Sequence, residues 1–229
     1  MGKLAMLGGL IGVRLPEKLQ TLIYRNRDTY RGETIDVQAL ALGHLANTVR
    51  IPGHLPTVAE SREQSEKTGT MFDRKAPPLA RIEDFEINGA DGPIAARLYS
   101  DTVDKSQLQP AVIYAHGGGF VQGSLDSHHA VCAKLAKWSG GIVVAVDYRL
   151  APEYPFPHGV NDFMAAFKSL AENGTSLGID VNRMGVAGDS AGACLAAVAS
   201  AELSGSPVAP KFQVLIYPVT DGHLNSQSV

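Results

Sequence analysis

After residue 80, short apolar runs alternate with helical patterns, and this alternation limits the fold more than any other feature of the chain. Four of the runs are continuous and largely β-branched, as is typical of strands covered on both faces of a parallel sheet; they occupy residues 111–115, 142–146, 184–187 and 212–217. Helical patterns separate them, and one of these includes Trp138 in its apolar face. Because crossovers between parallel strands are right-handed, the alternation predicts a doubly wound α/β sandwich.

A hairpin is predicted ahead of these four strands. Ile82, Phe85 and Ile87 lie in its first strand, and residues 94–99 form the second. The connection at residues 88–92 has the sequence Asn-Gly-Ala-Asp-Gly, which is typical of a turn between antiparallel strands.

The first 80 residues show helical patterns instead. One helix is predicted to begin at Pro16, and Thr57 with Glu60 matches the capping box that opens another. We therefore expect two regions, a helical cap or N-terminal region at residues 1–80 and an α/β core at residues 81–229.

The strongest local motif is Gly188-Asp189-Ser190-Ala191-Gly192, an instance of G-x-S-x-G between a predicted strand and a predicted helix. This context is the one that a nucleophile elbow requires, because so tight a turn needs small residues beside the serine. Such a turn would hold the Ser190 hydroxyl above the carboxyl end of the sheet, with the N–H of Ala191 facing the same space. Taken alone, the pattern also fits a serine that caps a helix.

A second glycine motif directly follows an apolar strand. His116-Gly117-Gly118-Gly119-Phe120 contains three consecutive glycines, which let backbone N–H groups approach a developing oxyanion. A phosphate-binding loop would end in Gly-Lys-Ser or Gly-Lys-Thr, and this loop does not. Two motifs, each after its own strand and in the expected order, favour a hydrolase over a simple helix cap.

With these motifs the chain resembles the hormone-sensitive-lipase-like branch of the α/β-hydrolase fold, a family of carboxylesterases. The resemblance runs from about the first strand to the C-terminus, and the helical N-terminal region is similar to the family's cap. The segments that carry it are residues 116–120, 146–157, 188–192 and 215–218. It implies an α/β-hydrolase fold, with a mostly parallel sheet flanked by helices.

The resemblance also implies a serine esterase that hydrolyses short- to medium-chain acyl esters without a cofactor, so that its partner is a small-molecule ester. It assigns Ser190 as the nucleophile. The N–H groups of Gly118, Gly119 and Ala191 are then the oxyanion hole.

Other side chains near the two motifs are expected to support them. The resemblance implies that Asp147 and Arg149 form a buried ion pair that holds the loop after their strand. His116 is expected to hold the glycine loop, and Asp189 to act as a positioning residue beside Ser190.

The acid and base of a catalytic triad are not found where the fold places them. In this fold both follow the serine along the chain, and in the family they follow the last two strands. The sequence ends at Val229, eleven residues after Pro218, whereas two strands with their helices would need roughly 30–35 more residues. We therefore expect a C-terminally truncated core without its last two strands, and an impaired esterase activity.

Asp221 and His223 are the groups of suitable chemistry on the loop that follows the last predicted strand. They lie two residues apart, whereas the family places these partners on different loops, so a surrogate Ser190–His223 pair is the less favoured alternative. His128 and His129 stand at a helix start, where capping and solvent exposure are expected.

Composition excludes several other classes of protein. With 20 Lys and Arg against 23 Asp and Glu the net charge is −3, so nucleic-acid binding is not expected. Cys132 and Cys194 form no disulfide framework and lack metal-ligand spacing, which favours a reducing, cytoplasmic setting and no metal. No run reaches the ~20 apolar residues of a membrane span. The apolar residues 4–13 are interpreted as a packing helix, with association to a lipid surface as the weaker alternative.

Two interpretations of the partners stay open. A non-catalytic protein that binds a small molecule on the same fold is the alternative to an esterase. The lack of two strands would also leave residues 212–217 as an exposed apolar edge of the sheet. Such an edge predicts pairing with another copy of the chain, or cover by a missing C-terminal fragment.

Overall fold

The chain forms two compact units, Met1–Pro56 and Thr57–Val229. The computed structural model describes residues 12–24, 29–30, 32–49, 53–72 and 75–223. Most of the predicted packing helix at residues 4–13 lies outside the described residues. The helix that begins at Val58 was grouped with the predicted cap, but its contacts place it in the second unit.

The first unit contains two helices and a short hairpin, namely α1 (Glu17–Ile23), β1 (Thr29–Tyr30), β2 (Glu33–Thr34) and α2 (Val37–Val49). Val37, Ala41 and Leu45 are buried along one face of α2, at the four-residue spacing of a helix stripe. The buried amide of Gln20 on α1 donates to the carbonyl of Gly12 at 3.0 Å, which fixes this helix to the helical residues 12–14 before it.

Helix α3 (Val58–Phe72) opens the second unit and begins with the predicted capping box. The carboxylate of Glu60 accepts the backbone N–H of Thr57 at 2.8 Å, and the Thr57 hydroxyl accepts the N–H of Glu60 at 3.2 Å. The first N–H groups of a helix have no carbonyl within the helix to bond. Here the capping box supplies an acceptor for one of them, that of Glu60, and for the N–H of the capping residue Thr57. The predicted start of this helix is confirmed.

A six-stranded sheet is the centre of the second unit. Its strands are β3 (Arg81–Asn88), β4 (Pro93–Ser100), β5 (Gln109–Ala115), β6 (Ile142–Val146), β7 (Ile179–Asp189) and β8 (Gln213–Ile216). The strand order is β3-β4-β6-β5-β7-β8. β3 and β4 form the predicted antiparallel hairpin, β4 runs antiparallel to β6, and the remaining neighbours are parallel. The predicted mostly parallel sheet is confirmed.

Helices cover both faces of this sheet. They are α4 (His129–Ser139), α5 (His158–Asn173) and α6 (Ala191–Glu202). Along the fully buried β6, Val144 packs with residues of α5 and α6, whereas Val143 and Ala145 pack with residues of α4. Alternate residues therefore serve two apolar layers, which is why the run is apolar without interruption. None of the helices in the described ranges is both long and apolar enough to span a bilayer.

Trp138 does not lie in the apolar face of α4, contrary to the prediction. It is 78% exposed, whereas the small residues Cys132, Ala133 and Ala136 of the same helix are fully buried. Small side chains let the helix axis approach the sheet closely, so α4 packs through them and the indole lies outside the contact.

Strand β8 is an open edge of the sheet. Among the described residues it pairs with β7 alone. Val214 on this strand is 42% exposed, and Phe212 and Tyr217 at its ends are 42% and 70% exposed. Within the described part of the chain, the predicted exposed apolar edge is therefore present.

Candidate active site

Ser190 lies in a strained turn between β7 and α6. Its φ of 51° and ψ of −118° form a combination that a residue with a side chain rarely adopts, and such strain clusters at functional sites. The N–H of Ser190 donates to the carbonyl of Ile216 at 2.9 Å, which holds the turn against the end of β8. The Ser190 side chain makes no capping hydrogen bond to α6, so the geometry does not fit the simple helix-cap interpretation.

Two glycines make this turn possible. A Cβ on Gly192 would overlap the carbonyl oxygen of Ala115, and a Cβ on Gly188 would overlap the backbone of Gly192. Both obstacles are backbone atoms, which cannot rotate away as a side chain can. The turn at Ser190 is therefore packed directly against the end of β5, where the glycine loop begins.

The glycine loop has the backbone conformation that its sequence requires. Gly118 and Gly119 have φ values of 125° and 62°, in the region that favours glycine. The N–H groups of Val121 and Gln122 donate to the Gly118 carbonyl at 3.2 and 3.0 Å. Within the described part of the chain, the N–H groups of Gly118, Gly119 and Ala191 have no acceptor, as donors awaiting an oxyanion would require.

The buried carboxylate of Asp189, at the end of β7, collects donors from several elements. Its Oδ1 accepts the hydroxyl of Tyr114 at 2.7 Å and the N–H of Gly117 at 2.9 Å, and Nε2 of His128 lies 3.3 Å away. The hydroxyl of Tyr217 reaches Oδ2 at 3.4 Å. Burial opposes ionisation, but the donors, led by His128, hold the pKa of this carboxyl below its usual value.

His116 is buried within the glycine loop. Its ring stacks on Tyr148 with the centroids 4.5 Å apart, and its Nδ1 lies 2.9 Å from the Gly117 carbonyl. The hydroxyl of Tyr148 in turn donates to the His116 carbonyl at 2.8 Å. These contacts join the loop after β5 to the loop after β6.

The predicted ion pair between Asp147 and Arg149 is wrong, because Arg149 binds a different carboxylate. Two of its guanidinium nitrogens donate to the two oxygens of Asp162 on α5, at 2.7 and 2.8 Å. Asp162 is fully buried, and this paired geometry matches the planar fork of arginine. Asp147 lies instead 3.8 Å from Nε2 of His116.

Arg62 of helix α3 joins two loops beside the site. Its Nε donates to the carbonyl of Val121 at 2.8 Å, and one terminal nitrogen donates to the carbonyl of Ala151 at 3.1 Å. The guanidinium also makes two hydrogen bonds to Glu153, which lower the pKa of that carboxyl to about 2. Helix α3 is thereby bonded to the loops that follow β5 and β6.

No imidazole is hydrogen-bonded to the Ser190 hydroxyl among the described residues. His223 pairs with Asp221, its Nδ1 lying 2.7 Å from Oδ1, and the His223 side chain is 83% exposed. His128 makes no side-chain cap and is only 18% exposed because it faces Asp189, so the expected exposed capping role is wrong for it.

A cavity of about 460 Å³ opens beside the Asp189 carboxylate. Tyr114, His128, Ile216 and Tyr217 contribute to its walls, so several donors of the carboxylate also face this space. Within the described ranges, no group of three or more His, Cys, Asp and Glu side chains is arranged to hold a metal ion.

The model of a protein family with the alpha/beta hydrolase fold matches residues 112–229, which are just over half of the chain. The chain belongs to this family. Among its curated relatives, ethyl acetate hydrolase of Pseudomonas putida is 39% identical over 197 residues, which are 84% of this chain and 62% of that protein. Esterase LipI of Mycobacterium tuberculosis is 45% identical over 147 residues, which are 62% of this chain and 45% of that protein.

Solved structures agree with these relatives. A hyperthermophilic esterase from the archaeon Pyrobaculum calidifontis superposes on this α/β-hydrolase with a TM-score of 0.67 and 47% identity. The match covers 71% of this chain and 53% of the archaeal chain. The predicted resemblance to carboxylesterases of the hormone-sensitive-lipase-like branch is thereby confirmed. The chain spans between 45% and 62% of the length of the three proteins named.

Three side chains at this candidate site are not predicted from the sequence. Tyr114, His128 and Tyr217 come from three different loops or strand ends, and each contacts the carboxylate of Asp189. The signal that could have indicated two of them is position, because Tyr114 and Tyr217 stand at the carboxyl ends of predicted strands, where the functional loops of a parallel sheet converge.

Proposed function

We propose that Ser190 is the nucleophile of a carboxylic ester hydrolase that acts on short- to medium-chain acyl esters through an acyl-enzyme intermediate. The observation that carries this proposal is the turn of Ser190, whose strained backbone serves no helix cap. Strain of this kind costs about 1–3 kcal/mol. A protein that only binds a small molecule has no need of it, which favours the esterase over the non-catalytic alternative.

The proposed chemistry assigns a role to each of these groups. The Ser190 hydroxyl attacks the ester carbonyl carbon and gives its proton to a base, while the N–H groups of Gly118, Gly119 and Ala191 donate to the oxyanion. The tetrahedral intermediate collapses, and the alcohol leaves with a proton. Water then attacks the acyl group on Ser190, which releases the carboxylic acid and restores the hydroxyl.

We further propose that this chain by itself is a poor catalyst. The described residues offer the Ser190 hydroxyl no bonded imidazole, and His223 is engaged with Asp221 on an exposed loop. Losing the histidine of a working triad costs about 10⁶ in turnover, and about 10³–10⁴ over water remains from the oxyanion hole and binding.

An alkyl fluorophosphonate should label the purified chain slowly, at one residue. The phosphorus meets the same strained hydroxyl and oxyanion donors as an ester carbon, so a covalent adduct should accumulate on Ser190 even without efficient turnover. Peptide mapping by mass spectrometry locates the adduct. The Ser190→Ala variant should remain unlabelled, and Ser176→Ala, which removes an exposed serine at the other end of the sheet, should be labelled like the parent chain. An adduct on another serine, or none after prolonged exposure, would contradict Ser190 as the nucleophile.

The open edge of β8 supports a proposal about association. Within the ranges that the structure describes, the outer side of the strand has no neighbouring strand and the strand carries exposed apolar residues, and such an edge is a template for another strand. We propose that two copies of this chain pair through β8.

Light scattering coupled to gel filtration should therefore show the chain as a dimer or larger species. Val214→Lys places a charge on the edge and should shift the chain toward the monomer, since lysine is a residue that natural edge strands use against pairing. Val103→Lys adds the same charge at an equally apolar, 69% exposed loop position and should leave the association unchanged. A parent chain that is monomeric at high concentration would refute pairing through this edge.

A further inference from the structure

We propose that Asp189 is a positioning residue that ties the nucleophile turn to the oxyanion loop and so sets the distance between them. The inference rests on the proposed function, and it goes further by naming the bond that holds the two halves of the site together. Asp189 precedes Ser190 by one residue. The backbone N–H that it accepts belongs to Gly117, which precedes Gly118 by one residue.

The bond between Asp189 and Gly117 is well formed and shielded from water. The Gly117 nitrogen lies 2.9 Å from Oδ1, and Asp189 is 8% exposed. A side chain on Gly117 would overlap the carboxylate, so the absence of a Cβ is what lets the loop come this close. A charge-assisted hydrogen bond in such a buried setting is about twice as strong as one between neutral groups.

The carboxylate is itself held in place by neighbours from other elements. Tyr114 at the end of β5 donates to the same oxygen at 2.7 Å, His128 before α4 lies 3.3 Å from it, and Tyr217 after β8 reaches the other oxygen. With so many donors around one carboxylate, rotation of the Asp189 side chain would break several hydrogen bonds at once. The position of Gly117 is thus determined by groups that surround the nucleophile turn.

The consequence concerns the oxyanion hole. Donors accelerate a reaction only if they already point to where the negative charge develops, because reorganising them costs free energy at the moment of reaction. The N–H groups of Gly118 and Gly119 follow directly after the tethered residue, whereas that of Ala191 follows Ser190. Asp189 therefore joins the two sets of donors that must act on one oxygen.

Two measurements on the full chain test this role. The first is hydrogen exchange of the Gly117 amide by NMR, and the second is fluorophosphonate labelling of Ser190 at several probe concentrations in imidazole buffer. In Asp189→Ala we expect Gly117 to exchange about tenfold faster. The maximal labelling rate should fall about 10- to 100-fold, as for a damaged oxyanion hole, while the half-saturating probe concentration stays within about twofold.

Asp189→Asn should restore most of both losses, because its side-chain oxygen can still accept the Gly117 N–H. Asp180→Ala is the matched control, since it removes a carboxylate from the same strand at the far end, where it pairs with Arg183. It should leave both measurements unchanged. A purely structural loss would instead lower the fraction of the chain that can be labelled, and it would leave the maximal labelling rate of that folded fraction unchanged.

Unchanged exchange and labelling in folded Asp189→Ala would overturn the proposal, as would an Asp189→Asn variant no better than alanine. If Asp189→Ala does not fold, Tyr114→Phe takes its place, because it removes one donor that holds the carboxylate. Gly117 should then exchange about threefold faster, and an unchanged rate would reject the tether. A parent chain that is never labelled would contradict the proposed nucleophile, while exchange at Gly117 would still decide the role of Asp189.

Discussion

Imidazole added to the assay should raise hydrolysis of p-nitrophenyl butyrate by this chain at least about tenfold, a small part of the ~10²–10⁴ that a positioned acid–base group contributes. The expectation follows from a site that holds a strained serine and the proposed oxyanion donors but no bonded imidazole among its described residues. A small base in solution can take the Ser190 proton, although it lacks the advantage of a fixed position. The rate should increase linearly with neutral imidazole, and it is measured by release of p-nitrophenolate.

The Ser190→Ala variant is the necessary control, because imidazole itself attacks activated esters. It should retain only that background and lose the whole enzyme-dependent increase. A second variant, His223→Ala, tests the surrogate base directly. Suppose that the parent chain hydrolysed the ester at ~1–10³ s⁻¹ without imidazole, and that His223→Ala removed this activity. His223 would then be the base of the chain, and the proposed impairment would be wrong.

The fold was predictable where short-range patterns decide the structure. Residues 142–146 coincide with β6 because a central strand must be apolar on both faces along its whole length. The capping box at Thr57 and Glu60 is equally local. By contrast, β7 begins at Ile179, five residues before the predicted run, because its early part includes the exposed Asn182 and Arg183. An apolar pattern identifies only the buried portion of such a strand.

At the candidate site, the sharp turn at Ser190 and the glycine loop were predictable from the sequence, but the supporting contacts were not. The glycine positions are dictated by neighbours in the same turn and by the adjacent strand, so the motif alone indicates them. The buried partner of Arg149 is Asp162, thirteen residues later and on a helix, whereas the pairing with the nearer Asp147 that the sequence suggests is not formed. A sequence shows which charges are present, whereas packing of helices on the sheet decides which of them meet.

Replacing Asp162 by alanine should lower the free energy of unfolding by about 3–5 kcal/mol, the usual result of removing one partner of a buried ion pair. Asp162 is fully buried and accepts the N–H of Ala90 at 3.0 Å as well as the backbone N–H of Arg149 at 3.2 Å and two of its guanidinium nitrogens. Alanine would remove the acceptor of the Ala90 and Arg149 backbone N–H groups and leave the guanidinium only its exposed pair with Asp91, and it would loosen α5 from the β3–β4 turn. Urea denaturation of both proteins measures the loss.

Asp91→Ala is the matched control, because Asp91 also pairs with Arg149, at 2.8 Å, but its side chain is 66% exposed. An exposed pair of this kind should contribute about 0–1 kcal/mol to the free energy of unfolding.

The Asp162→Asn variant tests the contribution of the charge. Burial opposes ionisation of Asp162, but hydrogen bonds from Arg149 and Ala90 hold its pKa below the usual value. Its charge therefore stabilises the fold fully above the unfolded pKa of about 3.9.

As the pH falls toward the lower pKa of the folded state, that stabilisation is lost, so the difference between the parent chain and Asp162→Asn should shrink below about pH 4. If Asp162→Ala lowered the free energy of unfolding no more than Asp91→Ala does, the bond between Arg149 and Asp162 would not be what holds α5 in place. If the difference in the free energy of unfolding between the parent chain and Asp162→Asn did not change with pH, the carboxylate would contribute through its shape and hydrogen bonds, and its ionisation would be irrelevant to the stability of the fold.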